Sequence, residues 1–112
     1  MSKINLTMLT DFYEITMANG YLVNGMENKI AYFDMFFREV PDKGGFAIMA
    51  GVEQLIQYLS NLKFDDRDIK YLQGKKLFSE DFLNYLRNFN FSCDVWAVPE
   101  GTPIFPNEPV GF

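Results

Sequence analysis

The stretch that most limits how this chain can fold is KIAYFDMFFR, residues 29–38. Its apolar residues recur at every second position, whereas the sequence on either side repeats at helical spacing. A period of two belongs to an extended strand and a period near 3.6 to a helix. Ala31, Phe33, Met35 and Phe37 make one wholly apolar face, expected to lie on the core. Ile30, Tyr32, Asp34, Phe36 and Arg38 make a mixed face. That second face suits a half-exposed sheet, and its acid and arginine between aromatics equally suit the wall of a site for a polar ligand. Strands with helices packed to one side define an α+β chain.

MLTDFYEITMANGYL, residues 8–22, opens the first helix. Asp11 stands at the N-cap with Glu14 three residues on, the pattern of a capping box, and the helix is expected to run to about Val23 and stop near Asn24-Gly25. Phe12, Ile15, Asn19 and Leu22 fall on one side and Tyr13, Met17, Gly20 and Tyr21 on another, leaving a narrow arc around Glu14 and Ala18 for water. A helix apolar on two sides is wedged between layers or subunits. Pro41-Asp42-Lys43-Gly44-Gly45 is a turn, with Lys43 in solvent, and a short extended piece, FAIMA, follows. Gly51 then opens a helix with Val52, Leu55, Ile56 and Leu59 as its stripe. Asp65 caps a short helix through Ile69 and Leu72 that Gly74 can end, and Ser79 caps another that buries Phe82, Leu83, Leu86 and Phe89. These three helices are expected to lie as a lid on the sheet. Cys93–Val98 returns to strand, Pro99-Glu100-Gly101-Thr102 turns, and Pro103, Pro106 and Pro109 make the remainder an edge or an irregular extended piece. Residues 1–98 thus form a helix and strand body within one domain, and residues 99–112 a Pro-rich extended segment with the look of an interrupted chain.

Composition removes several functions. The chain has 112 residues, no histidine and one cysteine, Cys93, so neither a His-containing triad nor an internal disulfide framework is available. A formal charge of -5 weighs against nucleic acid and anionic membrane, which need a basic footprint. Single-strand binding on YFDMFF fails for the same reason, since stacking platforms need basic companions. No run approaches the ~20 apolar residues of a membrane span, and no secretory or transit pattern opens the chain. A cytoplasmic location is expected.

Three stretches, in this order, carry a resemblance: MLTDFYEITMANGYL, AYFDMFFREVPDKGGFAIMAGVEQLIQYL and DVWAVPEGTPIFPNEPV. Together they resemble the N-terminal part of nicotinate phosphoribosyltransferase, and the residues around Phe12 are similar to the nicotinate branch rather than to its nicotinamide-using relatives. The resemblance implies the N-terminal domain of a type II phosphoribosyltransferase, α/β-hammerhead-like and ending before the α/β barrel. It implies that the full enzyme couples nicotinate to 5-phosphoribosyl-1-pyrophosphate, giving nicotinate mononucleotide and pyrophosphate in NAD salvage. Magnesium and linked ATP hydrolysis belong to that enzyme, and the fragment alone binds neither and does not catalyse. The catalytic groups and magnesium ligands would lie beyond Phe112.

The same resemblance implies roles for three residues. Tyr13 would stack on the pyridine ring in the active site of the neighbouring subunit of a homodimer, Asp11 would position the base, and Arg38 would contact a phosphate. Each has a plainer reading: Tyr13 as core, Asp11 as a cap, Arg38 in a surface salt bridge to Glu39 or Asp42. A rival from another class is a free-standing interaction module whose aromatic strand docks a helix or peptide. An isolated chain with a Pro-rich edge and a two-sided apolar helix is expected to self-associate.

Overall fold

A computed structural model describes residues 4–112. Its elements, in chain order, are α1 (Phe12–Val23), β1 (Ala47–Ile48), α2 (Val52–Ser60), α3 (Asp66–Gly74), α4 (Glu80–Arg87) and β2 (Pro103–Ile104), with one 3-10 turn at Pro41–Lys43. Among the described residues, four helices and a two-stranded sheet make the chain α+β, as its mixed periods imply. It divides into two compact units. One combines the residues up to Lys29 with Tyr58–Phe91, and the other combines Ile30–Gln57 with Ser92–Phe112.

The first unit is helical. α3 packs on α4 and α4 on α1, around a core of Ile15, Ile69, Leu72, Phe82, Leu83 and Leu86. α3 and α4 each start where a polar side chain takes an orphan amide. Asp65 accepts from the Asp68 amide at 2.9 Å while Asp68 accepts from the Asp65 amide at 3.1 Å, a complete capping box. Ser79 Oγ accepts from the Phe82 amide at 3.1 Å. Asn19 of α1 accepts from the Ser79 amide at 3.3 Å, and Phe12 meets Phe78 edge-on at 5.8 Å. The first face read from the sequence therefore does pack inward. Two details differ. Ala18, assigned to water, packs against the core, because it lies three residues from Ile15 and four from Leu22 on the same helical stripe. Phe89 is half-buried rather than buried. The expected lid on a sheet is also corrected: α3 and α4 close on α1, and this core contains no strand.

The second unit holds most of α2 and is otherwise extended. β1 pairs antiparallel with β2, Ala47 opposite Ile104 and Ile48 opposite Pro103. Proline at this place costs no ladder bond that a two-stranded ribbon cannot spare. Residues 29–38 do not form the expected strand. Their pairing is confined to Met35, whose amide donates to Gly111 O at 2.8 Å and whose carbonyl accepts from Val110 at 2.8 Å, and to Phe37, whose carbonyl accepts from Asn107 at 2.8 Å. Residues 93–98 likewise pair without making a strand: Trp96 exchanges backbone bonds with Phe112, and Val98 donates to Val110 O at 3.0 Å. Gly111 thus bridges Met35 on one side and Ala97 on the other. A Cβ there would stand 3.1 Å from Trp96 O, so this close approach favours glycine. Phe33 and Met35, assigned to the core, are 80% and 62% exposed. Alternation marks a surface shaped for half-burial, and a covering layer is a separate requirement.

Candidate functional site

Asp11 and Tyr13 occupy the start of α1. Asp11 has the extended backbone of an N-cap (φ -71°, ψ 139°), yet its side chain makes no capping hydrogen bond. The expected capping box is therefore corrected: Glu14 takes the hydroxyl of Thr10 instead of reaching back to the cap. The Asp11 carboxylate is exposed and free of that duty. A carboxylate at this end of a helix is favoured by the partial positive charge of the first turn.

Tyr13 stands in the first turn with 59% of its surface exposed. The plainer reading of a core tyrosine does not hold within this chain. Met17 and Tyr21, four and eight residues on, are exposed beside it, so the second apolar face of α1 faces outward. Being two residues apart, Asp11 and Tyr13 do not face each other across the helix. They offer a flat aromatic surface and a carboxylate at one helix end, suited to a planar ring carrying a polar group.

Arg38 belongs to the other unit. It is exposed and follows directly on Phe37, the last residue of its strip to pair with the C-terminal segment. Among the described residues it makes no ion pair with Glu39 or Asp42. Its guanidinium keeps a fork of donors that matches a phosphate.

A cleft of about 890 Å³ in the helical unit lies at the far end of α1 and is lined by Leu22, Val23, Glu27, Asp81 and Tyr85 among others. It contains none of the three candidates. Its Glu27 and Asp81 give it an acidic lining. Among the described residues no group of three or more Cys, Asp or Glu side chains could hold a metal ion. Magnesium finds no fitting donor set among them. Nor, among the described residues, is any helix long and apolar enough to cross a membrane.

Sequence reasoning missed two sets of residues. Glu100 accepts from the amides of Gly51 and Val52, both at 3.0 Å, and so caps α2 from the 99–102 turn. Asn5 and Thr7 bind the backbone at Lys63 ahead of α1. Neither lies within one helical turn of the group it serves, so no local pattern announces them.

An α+β domain presenting an unspent carboxylate and an exposed tyrosine at one helix start is the class of protein so far described. Comparison with known families narrows it. Residues 8–110 match the model of the nicotinate phosphoribosyltransferase (NAPRTase) N-terminal domain, and the chain belongs to that family. Relatives include the nicotinate phosphoribosyltransferase pncB2 of Mycobacterium tuberculosis, 43% identical over 102 residues, or 91% of this chain and 22% of that protein. The nicotinate phosphoribosyltransferase of Bacillus subtilis is 42% identical over 106 residues (95% and 22%). That of Homo sapiens is 36% identical over 106 residues (92% and 20%). The chain spans about a fifth of the length of these curated relatives.

Proposed function

We propose that this chain is the N-terminal part of an enzyme that joins nicotinate to 5-phosphoribosyl-1-pyrophosphate. The ring nitrogen bonds to the anomeric carbon of the ribose as the bond to pyrophosphate breaks, leaving nicotinate mononucleotide and pyrophosphate. The observation that carries this reading is the match of residues 8–110 to the N-terminal domain of enzymes named for that reaction. The chain provides a wall of the site rather than its reacting groups. Tyr13 stacks on the pyridine ring, and its exposure supports that role. Asp11, uncommitted to capping, orients the base and favours the cationic character that develops as pyrophosphate departs. Arg38 holds a phosphate.

The outward face of Tyr13, Met17 and Tyr21 supports a homodimer in which Tyr13 completes the pocket of the neighbouring subunit. The hammerhead-like arrangement, the linked ATP hydrolysis and a cytoplasmic setting belong to the same proposal. Magnesium and ATP are assigned to the rest of the enzyme, and this chain alone is inactive.

The test is Tyr13→Ala in the full-length enzyme. Losing one stacking partner worth ~0.5–1.5 kcal/mol raises KM for nicotinate by about two- to tenfold and leaves KM for phosphoribosyl pyrophosphate unchanged. An unaltered nicotinate KM removes Tyr13 from the site. The interaction-module reading draws on the exposed Tyr32, Phe33 and Trp96. A natural stop codon after Phe112 would favour it over the enzyme.

A further inference from the structure

We infer that Asn5 and Thr7 are positioning residues, fastening the lead into α1 onto the backbone at Lys63 and thereby setting where Asp11 and Tyr13 stand. The inference rests on the reading of those two residues as substrate contacts.

Thr7 is polar and only 5% exposed. Its hydroxyl donates to Asn5 Oδ1 at 2.6 Å and accepts from the Lys63 amide at 3.0 Å. Asn5 Oδ1 also accepts from the Thr7 amide at 3.0 Å, closing a turn two residues long. The Asn5 amide donates to the Lys63 carbonyl at 3.0 Å and faces Asp65 Oδ2 at 3.4 Å and Asp68 Oδ2 at 3.3 Å. Two hydrogens serve three acceptors, so the carbonyl holds one and the carboxylates share the other. Lys63 is thereby held by both its amide and its carbonyl.

From this clasp a short hydrogen-bonded path leads to the helix. Leu9 donates to Leu6 O and Thr10 to Met8 O, both at 2.9 Å, and Asp11 follows. Met8, inside this lead, packs against the core, which α1 itself joins at Ile15, one turn past the cap. Phe12 against Phe78 is the tether within the first turn. First-turn amides lack i−4 partners, so this end frays when a tether is lost. A small displacement of a stacking ring is costly to a bound substrate.

The test uses the full-length enzyme carrying Thr7→Val, which keeps the shape and removes the hydroxyl, with Thr7→Ser and Asn5→Ala. Thr7→Val, which breaks both hydrogen bonds of the hydroxyl and leaves the Lys63 amide without it, is expected to raise KM for nicotinate by about tenfold, with KM for phosphoribosyl pyrophosphate within about twofold. Thr7→Ser restores the parent value and Asn5→Ala follows Thr7→Val. Equal rises in both KM values, or a lowered Tm with unchanged KM, would make the clasp merely structural and overturn the inference. If Thr7→Val does not fold, Asn5→Ala, at an exposed residue, decides alone. Tyr13→Ala assayed in parallel separates the two levels. A tyrosine effect without a clasp effect sinks only the inference, whereas no tyrosine effect sinks the parent reading and this inference with it.

Discussion

The helical unit and the extended unit solve the problem of burial differently. In the first, six apolar side chains from three helices are buried together. In the second, Met49 and Val110 are the buried apolar side chains among the described residues, while Tyr32, Phe33 and Trp96 stand largely in solvent. Both regions are rich in aromatics, so composition does not separate them. What separates them is whether each element's partner lies within the described chain. α1, α3 and α4 supply one another's missing faces. The strip at 29–38 carries an apolar face that, but for the half-buried Phe37, stays largely in solvent. An amphipathic pattern is thus a requirement for a partner and does not supply one.

The sharpest way to break this contrast is to remove a large side chain from each unit. Phe82, 1% exposed, lies at the centre of the helical core. Phe82→Ala is expected to cost ~3–5 kcal/mol, enough to unfold a domain of ordinary stability. Phe33→Ala at an 80% exposed position is expected to stay within about 0.5 kcal/mol. Urea unfolding of the two variants compares them directly. Equal losses would mean that the extended unit buries Phe33 after all, for instance by self-association.

A smaller effect concerns α2, whose start is held from a turn 48 and 49 residues away. Glu100→Ala is expected to cost ~1 kcal/mol, as for a lost N-cap. Glu100→Gln, with one acceptor oxygen left, costs less. Amide exchange at Gly51 and Val52 should quicken in Glu100→Ala alone among exposed-acid variants of this unit. Unchanged exchange there would show that the carboxylate is not what protects those amides.

What was legible follows the same division. The caps at Asp65 and Ser79 could be seen in the residue order because cap and amide lie three residues apart. The buried stripe of Ile15 and Leu22 could be seen because its period is local. Glu100 could not, because its partners are distant. In the PDKGG turn it is Asp42 and Lys43, not the two glycines, that adopt the left-handed conformation (φ 60° and 56°). An aspartate tolerates that region better than most residues, and the surrounding turn decides. For the candidate site, the position of Asp11 at the N-cap was legible. That its carboxylate is left over was not, because the Glu14 amide it would take donates to the Asp11 main-chain carbonyl instead, at 3.1 Å. Tyr13 had two faces open to it, and only packing could decide which one looks outward.

The smallest expected effect tests the anchoring of the helical unit by pH. The amide of Asp68 bonded to Asp65 holds the Asp65 carboxyl below its ordinary 3.8, and the Asn5 amide adds to this against a partial loss of hydration. Burial pushes Asp68 the other way, above 3.8, the Asp65 amide notwithstanding, with the neighbouring Asp65 charge adding to the rise and Arg67 opposing it. A carboxyl with a lowered folded pKa contributes stability that is present above 3.8 and lost as pH falls through the folded value. A raised one has the opposite sign, its cost being relieved as pH falls through its own higher folded value. The two contributions therefore oppose each other as pH falls. Asp65→Asn removes the acid-sensitive member and should flatten the fall of stability between about pH 5 and pH 3, whereas Asp68→Asn should steepen it. Thermal melts across that window measure the two slopes relative to the parent. Parallel curves for both variants would mean that Asp65 and Asp68 are interchangeable, and that the capping box does not join the lead of α1 to α3 through ionised oxygens.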